Sequence, residues 1–212
     1  MDVEERVEEY ILAHSDRESD YLRTLYRSVH VHLLAPRMAV GHVEGRLLKM
    51  LTQMIRPKCA LEIGTFSGYA ALCIAEGLTD DALLYTYEID DELESFTRPV
   101  IENSACAPRI KFMIGDALKL VPKTNDMFDL VFIDGDKRQY IDYYEMVLPR
   151  VVSGGFIIAD NTLWGNQVIV PPKHHDPRVD GITAFNDLVA HDERVEKLML
   201  PLRDGLTLIR KK

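Results

Sequence analysis

The stretch Phe128-Asp129-Leu130-Val131-Phe132-Ile133-Asp134-Gly135-Asp136-Lys137 is an apolar run of strand length that ends in carboxylates and a lysine. A second stretch, Gly154-Gly155-Phe156-Ile157-Ile158-Ala159-Asp160-Asn161, follows the same plan. Near-continuous apolar runs of this kind belong in the middle of a parallel sheet, where helices cover both faces. Their carboxyl ends then lie side by side, which is where open α/β sheets hold ligands. Asp134, Asp160 and Asn161 would bring three oxygens together there, with Lys137 beside them. That donor set suits a hard divalent cation, magnesium first, with manganese or calcium as alternatives. An ion with open coordination positions can polarise a bound hydroxyl.

Outward from these stretches, short apolar runs at 59–63, 83–87 and 110–114 alternate with helical patterns. The alternation predicts βαβ units and a parallel sheet with helices on both faces. Residues 1–57 differ, because their apolar side chains recur only at helical spacing. Val3, Val7, Tyr10 and Ile11 fit one amphipathic face; Tyr21, Leu22, Leu25, Tyr26 and Val29 fit a second. Both are expected to lie against the sheet or a partner chain. A third helix is expected over 41–55, stopping before Pro57. After Trp164 comes a loop rich in Pro and His, then a helix over 183–191. Strand-like runs at 195–200 and 206–209 flank Arg203-Asp204-Gly205, which predicts an antiparallel hairpin at the sheet edge.

The 212 residues suit one domain, and 47% hydrophobic with 28% charged residues is the make-up of an ordinary globule. A formal charge of −9 disfavours a broad electrostatic grip on nucleic acid. Cys59, Cys73 and Cys106 have no paired spacing and read as reduced thiols of a cytoplasmic protein. Met1-Asp2-Val3-Glu4-Glu5 has no basic start before an apolar core, and no run is long enough for a membrane span.

The first strand runs into Glu62-Ile63-Gly64-Thr65-Phe66-Ser67-Gly68-Tyr69, a glycine-bearing turn that opens a helix. Glycines there let backbone approach a ligand, but this is not the Gly-x-Gly-x-x-Gly of dinucleotide enzymes. A carboxylate ahead of the first glycine would serve a pyrophosphate poorly and an ammonium group well. Glu88 closes the second strand, about twenty positions past Gly68, where a ribose acceptor is expected. Asp116 follows the third strand and suits an adenine edge.

With these motifs together the chain resembles the class I methyltransferases that use S-adenosylmethionine. Within them it is similar to the metal-dependent O-methyltransferases of the caffeoyl-CoA and catechol type. Met38-Ala39-Val40-Gly41-His42-Val43-Glu44-Gly45 looks like the family's segment ahead of the fold, and Asp160-Asn161-Thr162-Leu163-Trp164 like its second metal motif. The resemblance implies a Rossmann-like, seven-stranded, mostly parallel sheet in the order 3-2-1-4-5-7-6, the last strand antiparallel. Helices would cover both faces, with extra amino-terminal helices. It implies a single domain over 1–212, a helical cap at 1–57 on a core at 58–212.

Position by position, the family pattern assigns Asp134, Asp160 and Asn161 to the metal and Lys137 to the catalytic base. Glu62 falls near the methionine part of the cofactor, Gly64 beneath it with Gly68 in the same loop, Glu88 on the ribose and Asp116 by the adenine. Met38 and Val40 would flank the cofactor, and Asp134 would serve both cofactor and metal. Trp164 is the candidate aromatic wall for a small hydroxyl-bearing acceptor such as a catechol. Two departures stand out: Ala70 replaces a serine common in relatives, and residues 168–181, with His174 and His175, match no family substrate loop.

Three other readings compete. A nicotinamide-dependent oxidoreductase would also use Glu88 but needs a second mononucleotide half. A non-catalytic nucleoside-binding protein would not need the metal-and-lysine constellation. Some bacterial relatives methylate a hydroxylated uridine in transfer RNA; the acidic balance counts against this, while Arg37, Arg46, Arg178 and Arg210-Lys211-Lys212 offer a local basic track. The amphipathic amino-terminal helices suggest a homodimer.

Overall fold

A computed structural model describes residues 3–170 and 172–212, with side chains from residue 6 onward. The expectations resting on Met1, Asp2 and Pro171, and on the side chains of Val3, Glu4 and Glu5, lie outside the described residues.

Seven strands form one sheet: β1 (Cys59–Ile63), β2 (Leu83–Glu88), β3 (Ile110–Ile114), β4 (Phe128–Ile133), β5 (Val151–Asp160), β6 (Val195–Leu200) and β7 (Leu206–Lys211). Their order is 3-2-1-4-5-7-6, as expected. The first five run parallel, and β7 lies antiparallel between β5 and β6. Sequence neighbours diverge between β1 and β4, so a crevice opens at the carboxyl ends of those two strands.

Alternation along the central strands sets the two layers. Leu130 and Phe132 of β4 join a core formed with α2 (Asp20–His32), α3 (His42–Ile55) and α4 (Tyr69–Gly77). Val131 and Ile133 face the opposite core, against α7 (Tyr140–Val147) and α8 (Pro177–His191). Helices α5 (Glu94–Glu102) and α6 (Ala117–Leu120) follow β2 and β3, and α1 (Val3–Ala13) precedes α2.

Register decides where the site lies. Ile63 of β1 pairs with Ile133, and Ile133 with Ala159 of β5. Gly64, Asp134 and Asp160 are the next residues of three adjacent strands, and the Asp134 amide donates back to Ile63 O at 2.9 Å.

Some expectations need correction. Of the two placements expected for helix α1, against the sheet or against a partner chain, the first does not hold: Val7, Tyr10 and Ile11 are all exposed. In α2 only Leu22, Leu25 and Val29 are buried, while Tyr21 and Tyr26 sit at its margin. Helix α8 begins at Pro177, not 183, because Asp176 accepts the Arg178 amide at 3.0 Å and Pro177 occupies the first turn, where it is tolerated. Strand β5 begins at Val151, with Gly154 at φ +83 carrying an irregularity in its pairing with β4. The hairpin and the three free cysteines match the sequence reading.

Candidate active site

Two carboxylates emerge from adjacent strands with little cationic compensation. Asp160 is buried, and its Oδ1 accepts the Asn161 amide at 2.6 Å. Asn161 takes a left-handed conformation, φ +57, which asparagine tolerates better than most residues and which turns the chain sharply after β5. Burial and the nearby Asp134 charge push the Asp160 carboxyl well above its usual range, against the pull of Lys137. Glu44 of α3 faces Asp160 and is raised in the same way, burial first and the Asp160 charge second. Glu44 Oε1 is buried and has no donor.

Lys137 lies just outside β4. Its Nζ donates to Asp134 Oδ1 at 2.6 Å and to Tyr140 Oη at 2.7 Å. Asp136 is not its partner: it caps the turn by accepting the Arg138 amide and pairs with the Arg138 guanidinium. Tyr140, fully buried, passes its own proton to the carbonyls of Asp160 at 2.9 Å and Ile133 at 3.2 Å. Trp164, at φ +44, packs against the second core with its ring centroid 6.0 Å from Lys137 Nζ. Arg178 stacks on the same ring at 5.4 Å. Trp164, Gln167, Asp176, Arg178 and Asp204 line an open depression of about 260 Å³ beside it.

The turn after β1 is stitched to the end of β2. Gly64 N and Thr65 N donate to Tyr87 O, and Phe66 N donates to Glu88 Oε2 at 2.7 Å. Glu88 Oε1 takes the Asp90 amide at 2.9 Å, so the carboxylate is fixed with lone pairs to spare. Gly64, φ +98, is required by a close crossing: a Cβ there would stand 2.3 Å from Asp134 O. Gly68 opens α4 in a left-handed conformation, φ +82. Glu62 is fully buried; one oxygen accepts from Thr86 Oγ1, and Oε1 has no partner. Desolvation pushes its carboxyl up to about 8, with Asp134 and Glu88 adding to the rise and Thr86 opposing it.

Asp116 caps α6 by accepting the Leu118 amide at 3.0 Å, and its other oxygen pairs with Lys119. Val40 is buried in the first core, while Met38 is exposed on the short turn Pro36–Met38. Between them, Ala39 O accepts from both terminal nitrogens of Arg203 at 3.3–3.4 Å, and Arg203 Nη1 also reaches Glu44 Oε2 at 3.1 Å. His174 and His175 are exposed, and His175 pairs with Asp180 at 2.5 Å.

Sequence reasoning gave no role to Glu44, Thr86, Tyr140 or Arg203. Glu44 carried a usable signal, since it shares the helical stripe of Leu48 and Thr52, which are buried. Thr86 lies among apolar and aromatic residues of a central strand, where a hydroxyl needs a partner.

A sheet of this order, with acidic strand ends at its switch point and a glycine turn before α4, defines the Rossmann-like methyltransferase class. An O-methyltransferase family model matches residues 12–212. The caffeoyl-CoA O-methyltransferase of Stellaria longipes is 30% identical over 98% of this chain and 90% of its own length. The solved O-methyltransferase from Bacillus cereus, in complex with SAH, superposes with a TM-score of 0.89 at 28% identity, covering 98% of this chain and 97% of that one. TomG from Streptomyces achromogenes, solved with SAM, gives 0.91 at 26% identity over the whole of both chains. The chain belongs to the S-adenosylmethionine-dependent O-methyltransferase family, of the caffeoyl-CoA O-methyltransferase type.

Proposed function

We propose that the protein transfers the sulfonium methyl of S-adenosylmethionine to a hydroxyl of a catechol-like small molecule held at a divalent cation. The observation that carries this reading is the Lys137 ammonium fixed between Asp134 and Tyr140, beside carboxylates that lack sufficient counter-charge. Glu44, Asp134 and Asp160 gather three carboxylates against Lys137 and Arg203. A further cation at Asp134, Asp160 and Asn161 would relieve that repulsion, and their oxygens suit magnesium, manganese or calcium. Among the described residues no three His, Cys, Asp or Glu side chains are placed so as to hold a metal ion by themselves. The proposed site is instead an open one of two carboxylates and an amide, completed by water or substrate. When bound, the ion supplies charge that lowers the pKa of an acceptor hydroxyl.

The residues divide the remaining work. Glu62 receives the cofactor's amino group, Gly64 and Gly68 shape the loop beneath it, Glu88 holds the ribose and Asp116 the adenine edge. Met38 and Val40 flank the cofactor, and Trp164 forms a wall of the acceptor pocket. Lys137 must first release a proton to solvent; as the methyl carbon leaves sulfur and bonds to oxygen, the neutral amine accepts the hydroxyl proton at Nζ and becomes the ammonium again. Asp134 and the Tyr140 oxygen then steady the ammonium. The exposed apolar side chains Val7, Tyr10 and Ile11 would be covered in a homodimer, with residues 1–57 capping the core; sedimentation velocity checks the association. Among the described residues no helix is long and apolar enough to cross a membrane, in keeping with a cytoplasmic enzyme.

The decisive experiment is a methyl-transfer screen on catechols, hydroxycinnamoyl thioesters and transfer RNA, with chelator and with added magnesium. Magnesium-restored transfer to a catechol, lost in Asp160→Ala, is expected. Transfer that resists chelation would overturn the metal assignment, and transfer only to RNA would overturn the acceptor assignment.

A further inference from the structure

We propose that Thr86, backed by Thr65, is a positioning residue that sets the Glu62 carboxylate for the charged amino group of the methyl donor. The inference rests on the reading of Glu62 given above and adds residues to which the family pattern gives no role.

Glu62 and Thr86 are register partners on the parallel strands β1 and β2, and both are fully buried. The Thr86 hydroxyl has one hydrogen, and it goes to Glu62 Oε2. Thr65 Oγ1 lies 2.6 Å from Thr86 Oγ1, so Thr65 must be the donor in that contact. Two hydroxyl protons therefore point in sequence toward one carboxylate. Such a chain favours the ionised acid and holds its plane fixed.

The other oxygen, Oε1, is left buried and bare. An unmet carboxylate oxygen in the interior is costly. The charges that act on Glu62 are those of Asp134 and Glu88, both anionic. The partner that would let this acid ionise is consequently a cation carrying N–H donors, as an ammonium does. Thr65 also belongs to the turn whose next residue, Phe66, donates to Glu88. One stitch thus sets the amino-group acceptor in register with the proposed ribose acceptor.

A valine at 86 would keep the β-branched shape while removing the hydroxyl that donates to Glu62. Calorimetric titration of Thr86→Val, Thr86→Ser and the parent with S-adenosylhomocysteine and with 5′-methylthioadenosine, which lacks the amino-acid portion, tests the proposal. Thr86→Val should bind S-adenosylhomocysteine about tenfold more weakly and methylthioadenosine within about twofold of the parent, with Thr86→Ser restoring the affinity for S-adenosylhomocysteine. Equal weakening for both ligands, or none, would overturn it. Should Thr86→Val fail to fold, Thr65→Val is titrated in its place; about threefold selective weakening is expected, and an unchanged ratio of the two affinities overturns the relay. Glu62→Gln separates the two levels of inference. If it leaves S-adenosylhomocysteine binding unchanged, the Glu62 reading itself fails; if it weakens that ligand selectively while Thr86→Val does not, only the relay fails.

Discussion

The Lys137 ammonium and the Tyr140 hydroxyl lie 2.7 Å apart, and the tyrosine spends its own proton on the backbone carbonyls of Asp160 and Ile133. Tyr140 can therefore only accept from Lys137, which fixes the lysine without competing for its role. Tyr140→Phe should lower turnover about fivefold to tenfold and cost about 1 kcal/mol of stability, with S-adenosylhomocysteine affinity unchanged. Steady-state kinetics paired with calorimetry checks this. An equal loss in ligand affinity would assign the tyrosine to the cofactor side.

Lys137→Ala should reduce turnover about a hundredfold or more while leaving cofactor affinity within about threefold. The measurement is a pH–rate profile beside a binding titration. Turnover unchanged at both neutral and high pH would remove Lys137 as the base.

Arg203 is half-exposed, yet it faces the buried Glu44 and holds the Ala39 carbonyl. Arg203→Ala should cost about 2 kcal/mol in urea unfolding, because a buried carboxylate loses its cation. Cofactor affinity should fall as well, since the segment carrying Met38 and Val40 is untied. A variant of full stability and affinity would make the contact incidental.

The folded protein holds the Glu62 carboxyl at about 8, above its ordinary value of 4.5, so the folded state binds the proton more tightly than the unfolded chain. The resulting stability is complete below about pH 4.5 and is lost as pH rises toward 8. The groups facing Glu62 are Thr86, Asp134 and Glu88. Ligand-free protein should melt progressively lower over that window than Glu62→Gln does, and a cationic ligand should reverse the trend by favouring the ionised acid. Parallel melting curves for the two proteins across the window would contradict this.

At Gly64 an alanine would need both a left-handed backbone and space already held by Asp134 O. Gly64→Ala should cost about 3 kcal/mol or more and displace Asp134. Thermal unfolding and residual activity report the two effects separately.

The strand ends at Asp134 and Asp160 were legible because each closes an apolar run, and strand order followed from the family resemblance those ends supported. Lys137 was legible for its place in the same motif, although its partners were not. Glu44 and Arg203 could not be paired in advance: they stand 159 positions apart, one inside an amphipathic helix and the other in a turn, and no local pattern links them. The Thr65–Thr86–Glu62 chain was hidden for a related reason, since it depends on which residues of β1 and β2 share a register. Tyr21 and Tyr26 lie on the expected face but outside its buried centre, because helical spacing marks a face without fixing how wide its buried part is.

Arg203 follows Ala39 by 164 residues, and its guanidinium is what fastens the early segment to the β6–β7 turn. Closing a contact of that span is slow and comes after local pairings have formed. During synthesis, helix α3 and the β1 turn leave the ribosome long before their clasp exists. A nascent chain can thus own its glycine turn, its Glu62 and its acidic strand ends while Glu44 is still without a cation. Completion of the site is thereby tied to completion of the hairpin, and shortened chains ending before residue 203 should lose both the clasp and the strand that joins β5 to β6, and hold the methyl donor poorly.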